Sequence, residues 1–345
     1  MTFPSDERSL VSPNGFIAAL AVMLFVASCG DSGMDGAPTE IALEDVREAE
    51  RTLVDVARST PANEEFAGSS ERSLHTRLWY AERALRRPAC RGSRCALVLL
   101  AHGFGGRTER FDAIGRRLAT AGYIVAAVTF PLTNQDAPGG FSNGGFDAAQ
   151  QPADLSFVVD ALLAASLDPK DSLYQRIDGE NVAAVGHSLG GATVIAGSRA
   201  SCCRDARFAA TVYVEPVVFA VEVLFDESYS LAGPPTLTFQ GTLEAPIPAA
   251  ETRAFHAGLE APKIYVEMAG GNHVNMIERL PTGPAPLLDE AAEMMIAFFD
   301  KYVVGGPDRV GEVAATLRDG GHVVSVDDGV EVSAAYLAWL GDGVW

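Results

Sequence analysis

The chain has 345 residues, of which 48% are hydrophobic and 21% are charged, and this composition is typical of a globular protein with a large core. Its 26 Lys and Arg residues stand against 45 Asp and Glu residues, giving a formal net charge of −19. Such a charge repels nucleic acid and anionic membrane surfaces, so we expect no nucleic-acid partner.

The first predicted element is a short, uncharged apolar stretch at 16–28. It is too short to cross a bilayer but suits the core of a signal peptide. It ends in VASC at 26–29, which resembles the bacterial lipobox, where small residues precede a cysteine that is lipidated and becomes the new N-terminus. We therefore expect a lipoprotein signal peptide over 1–28, lipidation of Cys29 and a flexible tether over 29–40. The alternative is a plain secretory peptide with an incidental cysteine.

This leader predicts an exported protein that is held by a lipid anchor in the bacterial cell envelope. Gly30 stands directly after the cysteine, at a position where Asp often retains lipoproteins at the inner membrane. The sequence therefore favours the outer membrane or a periplasm-facing location, and it carries no signal for an oligomeric state.

Beyond the tether, apolar periodicity defines the elements. Apolar residues at helical spacing predict helices at 41–58, 108–120, 152–163, 191–196, 249–258 and 287–304. Alternating or continuous apolar runs predict strands at 74–80, 96–101, 124–130, 181–185, 209–214, 236–240 and 263–268. This alternation predicts an α/β protein with a mostly parallel twisted sheet and helices on both faces.

The domain boundaries follow from the same pattern. We expect the catalytic domain to span 41–304 and a C-terminal appendage, with one short helix and one short strand, to span 305–345. The segment between the strands at 209–214 and 236–240 is too short for a large lid domain. A long loop rich in Gly, Asn and Asp at 131–151 is the other expected wall of a cleft.

Export makes disulfides possible. Apart from Cys29, the cysteines are Cys90, Cys95, Cys202 and Cys203, which allow three pairings. Cys90 and Cys95 flank a turn-forming insert and can close a small loop, whereas adjacent cysteines rarely bond comfortably. The sequence leaves the pairing open. No metal-ligand spacing of the C-x-x-C or H-E-x-x-H kind occurs in the chain, and we expect neither a metal nor a cofactor.

The motif GHSLG at 186–190 lies between a predicted buried strand and a run of small residues that can continue as a helix. G-x-S-x-G in that context is the nucleophile elbow of the α/β-hydrolases. The glycines permit a turn so sharp that the hydroxyl of Ser188 stands exposed at a helix N-terminus. The alternative is a chance match in a chain with 34 glycines.

A serine nucleophile needs a base, an orienting acid and oxyanion donors. Of the six histidines, only His273 follows a late strand in a glycine-rich loop, so we predict it as the base. The acid is expected in the loop after the preceding strand, where Glu244 is the only carboxylate; Glu215, after the strand at 209–214, is the reserve candidate. The alternatives are a hydrogen-bonding loop histidine and a solvated surface glutamate.

The oxyanion donors are expected to be backbone N–H groups. One belongs to Leu189, directly after the nucleophile. The other is assigned to Phe104, in the glycine-rich sequence HGFGG at 102–106 that follows an apolar strand. We expect His102 to pack behind this loop and His187 to point into the core beneath the elbow.

From about residue 70 to 304 the chain resembles the dienelactone-hydrolase-like and cutinase-like polyester hydrolase branch of the α/β-hydrolases, which is similar to platelet-activating-factor acetylhydrolases. The matching stretches are HGFGG at 102–106, RLATAGYIV at 117–125, GHSLGG at 186–191, FQGTLEAPIP at 239–248 and GGNH at 270–273. The resemblance implies an α/β-hydrolase fold, hydrolysis of carboxylic esters, and the triad Ser188, Glu244 and His273.

The chain departs from that branch in two places. The acid loop carries Glu in place of the usual Asp. Polyester hydrolases also place a Trp after the strand that follows the elbow helix, and here that stretch reads Val214-Glu215-Pro216. The prediction is therefore a lipid-anchored serine esterase acting on a small-molecule ester of short to medium chain length. A lipase or polyester hydrolase, and a non-catalytic envelope lipoprotein that uses the fold as a binding module, are the alternatives.

Overall fold

The computed structural model describes residues 45–82, 88–225, 229–243, 246–279, 286–320 and 323–327, all within one compact unit, Pro38–Trp345. The predicted signal peptide, Cys29 and the tether lie outside the described residues. None of the helices in these ranges combines the length and the apolar composition needed to cross a bilayer.

The core of the fold is a ten-stranded sheet with the order β1-β2-β5-β4-β6-β7-β8-β9-β10, to which β3 adds as a partner of β4. The six strands from β5 to β9 in this order are parallel, while β1, β2 and β10 run antiparallel to their neighbours. The strands are β1 (Val46–Asp55), β2 (Arg72–Ala81), β3 (Cys90–Arg91), β4 (Arg94–Ala101), β5 (Ile124–Thr129), β6 (Ile177–His187), β7 (Phe208–Val214), β8 (Thr236–Gly241), β9 (Lys263–Met268) and β10 (Val323–Asp327).

Helices cover both faces of the sheet, which confirms the predicted architecture. They are α1 (Asp112–Thr120), α2 (Gln151–Leu167), α3 (Leu189–Arg199), α4 (Phe219–Phe225), α5 (Ala249–Gly258), α6 (Pro286–Tyr302) and α7 (Val310–Asp319). Helices α1, α6 and α7 share one hydrophobic core with one face of the sheet, and α2 to α5 share a second core with the other face. Between β7 and β8 the short helix α4 takes the place where a large lid would stand.

The predicted surface helix over 41–58 is wrong, because residues 46–55 form the edge strand β1. Ala49 and Leu53 pack against the second core. Their spacing of four residues places them on one side of a helix, but four is also an even number, so they share one face of a strand as well. Strand β1 pairs with β2 along its whole length, and this pairing satisfies the backbone groups of an otherwise open sheet edge. The pairing therefore selects the strand over the helix.

Residue 305 does not mark the end of the hydrolase fold, in contrast to the predicted appendage. Helix α7 buries Val310, Val313 and Leu317 in the same core as α6. Strand β10 extends the sheet by pairing antiparallel with β9, with Val326 opposite Val266. The segment after the predicted boundary therefore contributes both a helix and a strand to the fold.

Both pairs of neighbouring cysteines are joined. Cys90 and Cys95 face each other across the β3–β4 hairpin and form a disulfide. Cys202 and Cys203, in the turn after α3, form a second disulfide although they are adjacent in sequence. The small loop at Cys90 agrees with the sequence, while the second bond is a pairing that the sequence disfavoured.

Candidate active site

Ser188 occupies a sharp turn between β6 and α3 with φ 54° and ψ −120°, a backbone conformation that is strained for a residue with a side chain. The flanking glycines are sterically required. A Cβ at Gly186 would lie 2.2 Å from the carbonyl oxygen of Gly190, and one at Gly190 would lie 2.1 Å from that of Ala101. The geometry is that of the predicted nucleophile elbow, held by strand β4 and the first turn of α3.

His273 lies in the loop that follows β9. The side chain of Asn272 fixes this loop by accepting the backbone N–H groups of Val274 and Asn275, at 3.1 and 3.0 Å. The imidazole Nδ1 of His273 lies 3.3 Å from Oε2 of Glu215. With Nδ1–H directed at a carboxylate, Nε2 is left as the nitrogen that can accept a proton.

Glu215 is the first residue after β7 and is fully buried. Its backbone takes a positive φ of 48° and its N–H donates to the carbonyl of Phe239 at 3.0 Å. The second carboxylate oxygen, Oε1, accepts the backbone N–H of Gly241 at 2.6 Å. A buried carboxylate with both oxygens engaged is fixed in position, and it is suited to orient an imidazole.

The predicted acid, Glu244, lies outside the described residues, and the carboxylate that the structure brings to His273 is the reserve candidate, Glu215. The parallel arrangement of the two preceding strands explains why sequence order could not distinguish Glu215 from Glu244. Strands β7 and β8 lie side by side and end at the same edge of the sheet, so the loop after either strand can reach the histidine loop. One sequence signal did favour Glu215: it is the only charged residue in the apolar run 208–221. A charge there must be buried, and a buried charge needs a partner.

His102 plays the structural role that the sequence predicted. Its Nε2 accepts the backbone N–H of Phe130 at 3.1 Å, so the proton resides on Nδ1, which donates to the carbonyl of Gly103 at 2.8 Å. Burial lowers the pKa of His102 to about 4. The neutral ring therefore ties the loop at 103–106 to the end of β5.

His187 does not point into the core beneath the elbow, as was predicted, but lines the cleft beside Ser188. Its Nε2 donates to the backbone carbonyl of His273, and the two rings pack with centroids 4.7 Å apart. Burial, together with the neighbouring His273, lowers the pKa of His187 to about 3. His187 is thus a neutral donor that holds the histidine loop against the elbow.

The two predicted oxyanion donors belong to segments that adjoin Ser188. Leu189 is the first residue of α3, where backbone N–H groups have no partner within the helix. In the other loop, the N–H of Gly105 donates to the carbonyl of Thr133 at 2.8 Å and that of Gly106 to Gly103 at 2.9 Å. The N–H of Phe104 has no such backbone acceptor among the described residues. A Cβ at Gly103 would lie 2.8 Å from Ser188 Cβ, so this loop lies against the nucleophile.

Ser188 and His273 open into one small cleft of about 60 Å³, together with the predicted donor loop that carries Phe104. The lining residues are His102, Gly103, Phe104, Gly106, Arg110, Phe111, His187, Ser188, His273, Val274 and Ile277. Aromatic side chains stand exposed nearby: Phe104 is 45% exposed, Phe146 52% and Phe219 58%. Phe104 also packs edge-on against Phe141 with ring centroids 5.2 Å apart.

Among the described residues no group of three or more His, Cys, Asp or Glu side chains is placed to hold a metal ion. The structure brings together a hydroxyl, an imidazole and a buried carboxylate, which are groups that can serve nucleophilic catalysis.

Comparison with known proteins agrees with this fold. A family model described as the alpha/beta hydrolase family matches residues 98–335, more than half of the chain, and the protein belongs to that family. Among solved structures, the chain is similar to a ferulic acid esterase from Streptomyces cinnamoneus, with 20% sequence identity and a TM-score of 0.56. The match covers 76% of this chain and 91% of that chain, and at this identity it shows a shared fold. A search of the curated proteins finds no significant match.

Proposed function

We propose that the protein is a serine hydrolase of carboxylic esters that works through an acyl-enzyme. In this proposal Ser188 is the nucleophile, His273 the general base and Glu215 the orienting acid, and the backbone N–H groups of Phe104 and Leu189 bind the oxyanion. The observation that carries it is the contact of His273 Nδ1 with the buried Glu215, 3.3 Å away, in the cleft that also holds Ser188.

Acylation begins when Ser188 Oγ attacks the ester carbonyl carbon and its proton passes to His273 Nε2. Glu215 stabilises the resulting imidazolium and keeps the ring oriented. The carbonyl oxygen becomes an oxyanion between the two backbone donors, each worth roughly 10²- to 10³-fold in rate. The tetrahedral intermediate then expels the alcohol, which takes its proton from His273.

Deacylation repeats these steps with water as the nucleophile. His273 removes a proton from water, the hydroxide attacks the acyl carbon, and Ser188 leaves as the alkoxide. The alkoxide regains a proton from His273, so the carboxylic acid is released and the enzyme returns to its starting state. Neutral His102 and His187 do not compete for this proton, because their low pKa values keep them unprotonated near pH 7.

The small cleft beside Ser188 supports short- to medium-chain acyl groups as substrates. The exposed side chains of Phe104, Phe146 and Phe219 favour a second candidate, a lipase or polyester hydrolase that acts on esters at an apolar surface. Polyester hydrolases carry a tryptophan after the strand that follows the elbow helix, which here is β7. In this chain the residue after β7 is the buried Glu215, and this weakens the case for aromatic polyesters as substrates. The similarity to a ferulic acid esterase makes small aromatic acyl esters worth including in a substrate panel.

The test is hydrolysis of p-nitrophenyl esters from acetate to palmitate, with a tributyrin emulsion and methyl ferulate alongside, by the full-length protein in mild detergent. A fluorophosphonate probe with mass mapping reports whether Ser188 is the reactive residue. We expect hydrolysis that peaks at short or medium chain length and a probe adduct on Ser188. A folded protein that neither turns over nor takes the probe would instead favour a non-catalytic envelope lipoprotein.

We propose further that the chain is anchored by a lipid on Cys29 in the bacterial envelope, which rests on the apolar stretch at 16–28 and the VASC sequence at 26–29. Expression in a bacterial host followed by membrane fractionation tests this. The parent is expected in the membrane fraction, and Cys29→Ser is expected in the soluble fraction. A Cys29→Ser variant that stays membrane-bound would exclude the lipid anchor.

A further inference from the structure

Gln151, the first residue of α2, is fully buried at the centre of a hydrogen-bonded bridge. The bridge connects the loop at 103–106 with the helix that follows the nucleophile. A buried side-chain amide is costly unless its polar atoms are satisfied, and here both ends of the amide reach a threonine on a different segment. One of these threonines lies in the helix that begins at Leu189, and the other hydrogen-bonds to the loop that carries Phe104.

The first arm of the bridge leads to Phe104. Gln151 Nε2 donates to Thr133 Oγ1 at 2.7 Å, and Thr133 is fully buried. The carbonyl of the same Thr133 accepts the N–H of Gly105 at 2.8 Å. Gly105, at φ 66°, follows Phe104 directly, so one residue of the long loop holds both the amide of Gln151 and the backbone of the oxyanion loop.

The second arm leads to Leu189. Thr193 Oγ1, also fully buried, hydrogen-bonds with Gln151 Oε1. The same hydroxyl lies 3.2 Å from the carbonyl oxygen of Leu189, one helical turn earlier in α3. This contact reaches the carbonyl of Leu189, the residue whose own N–H is the second proposed donor.

Gln151 itself is held from both sides along the chain. Asp147 and Asp154 both bind the buried guanidinium of Arg72 in β2, with contacts of 2.8 and 2.9 Å to Asp147 and 2.6 and 2.7 Å to Asp154. All three side chains are buried. The backbone around Gln151 is therefore fixed to the sheet, and its side chain is a rigid spacer.

We propose that Gln151 is a positioning residue that sets the separation of the Phe104 and Leu189 N–H groups, and so tunes the oxyanion hole. The inference rests on the proposed function. The two donors lie on segments far apart in sequence, and one of those segments is a glycine-rich loop that has wide backbone freedom. Because a displacement of about 1 Å at a catalytic group can cost about 10²-fold in rate, such a loop requires an external fixture.

The test compares Gln151→Met and Thr193→Val with the parent. Methionine keeps the size of glutamine and removes both hydrogen bonds; valine keeps the shape of threonine and removes the second arm. We expect kcat to fall about 10-fold in each, with KM changed by less than about twofold, because an oxyanion hole acts on the transition state. Affinity for a trifluoromethyl ketone, which forms an oxyanion on Ser188, should fall by the same factor as kcat/KM. Both changes break the same bridge. The kcat of the double variant should therefore be no more than about twofold below that of the less active single variant.

Tyr123→Phe is the matched control. Tyr123 is equally buried and donates to Asp300 at 2.6 Å, but it lies at the opposite edge of the sheet. It should lower the melting temperature and leave kcat and ketone affinity unchanged. If Gln151→Met does not fold, Thr133→Val, which removes the first arm, takes its place as the test variant.

Parent-like kcat and ketone affinity in the folded Gln151 or threonine variants would overturn the inference, as would effects of Gln151→Met and Thr193→Val that simply multiply. The proposed function fails in a different way. A parent in which the fluorophosphonate does not label Ser188 would remove the esterase proposal and this inference together, whereas a labelled parent with unaffected variants would remove only the role of Gln151.

Discussion

The two edges of the parallel sheet differ in backbone strain, in the polar groups that they bring together and in cavity volume. At the carboxyl edge, Ser188 and Glu215 both hold positive φ values, of 54° and 48°, around a cleft of only about 60 Å³. The amino edge has a larger cavity of about 230 Å³, lined by residues such as Cys95, Ile124 and Arg176, and the described residues that line it include no imidazole. Backbone strain and converging polar groups, and not cavity volume, mark the candidate active site.

The comparison predicts that changes at the carboxyl edge alter turnover more than stability, and the largest such effect is expected for Ser188→Ala. Loss of the nucleophile should lower kcat by on the order of 10⁶, as in other serine triads. The melting temperature should change little or rise, because alanine removes no core contact. Ester turnover and calorimetry on the same preparation check this, and activity within about tenfold of the parent would exclude Ser188 as the nucleophile.

The next largest effect is expected for Glu215→Gln, which keeps the size of the side chain but removes the charge that orients His273. We expect kcat to fall by about 10³- to 10⁴-fold. The matched control is Glu244→Gln, for which we expect less than about a threefold change. Initial rates on the best p-nitrophenyl ester measure both. The reverse order would return the acid role to the loop after β8.

Acid should destabilise both edges through buried neutral histidines. Burial lowers the pKa values of His102, His187 and His256 to about 4, 3 and 3. The ordinary value of about 6.5 applies to the unfolded chain, which therefore binds more protons below that pH. Stability is thus fully present above about pH 6.5 and is lost as the pH falls toward 3, by up to about 2 kcal/mol per histidine at pH 5.

Urea unfolding at pH 7.5 and pH 5 checks the acid effect. The control is His256→Gln, whose amide can keep the contact that His256 Nδ1 makes with Thr238 Oγ1 at 2.9 Å. The loss of unfolding free energy between the two pH values should be smaller in this variant by about 2 kcal/mol. Equal losses in parent and variant would mean that His256 is not held neutral in the fold.

The smallest effect is expected at the amino edge, from removing the disulfide between Cys90 and Cys95. It closes a very short loop, so the chain-entropy contribution is about 2 kcal/mol. The double change Cys90→Ser/Cys95→Ser should lower the free energy of unfolding by about that amount and leave kcat per folded molecule unchanged. A clear loss of kcat would show that the two edges are coupled and would weaken the contrast between them.

The order of helices and strands was predictable because buried parallel strands are continuous apolar runs and their helices repeat with a different period. The sharp turn at Ser188 and the glycine-rich loop at His273 were predictable for the same local reason, since each depends on glycines and neighbours within a few residues. Edge strand β1 was not, because its apolar residues suit a helix and a strand equally well and only pairing with β2 selects the strand.

The sequence by itself therefore determined the α/β-hydrolase fold, and it singled out the turn at Ser188, the loop at His273 and the two segments proposed to carry the oxyanion donors. The tertiary structure decided which glutamate meets the histidine, since sheet neighbours end at one edge and their loops compete for the same place. It also decided that His187 hydrogen-bonds to the loop of His273 and that Gln151 connects the two segments proposed to carry the oxyanion donors. These are contacts between residues far apart in the chain, and no local period or motif encodes them.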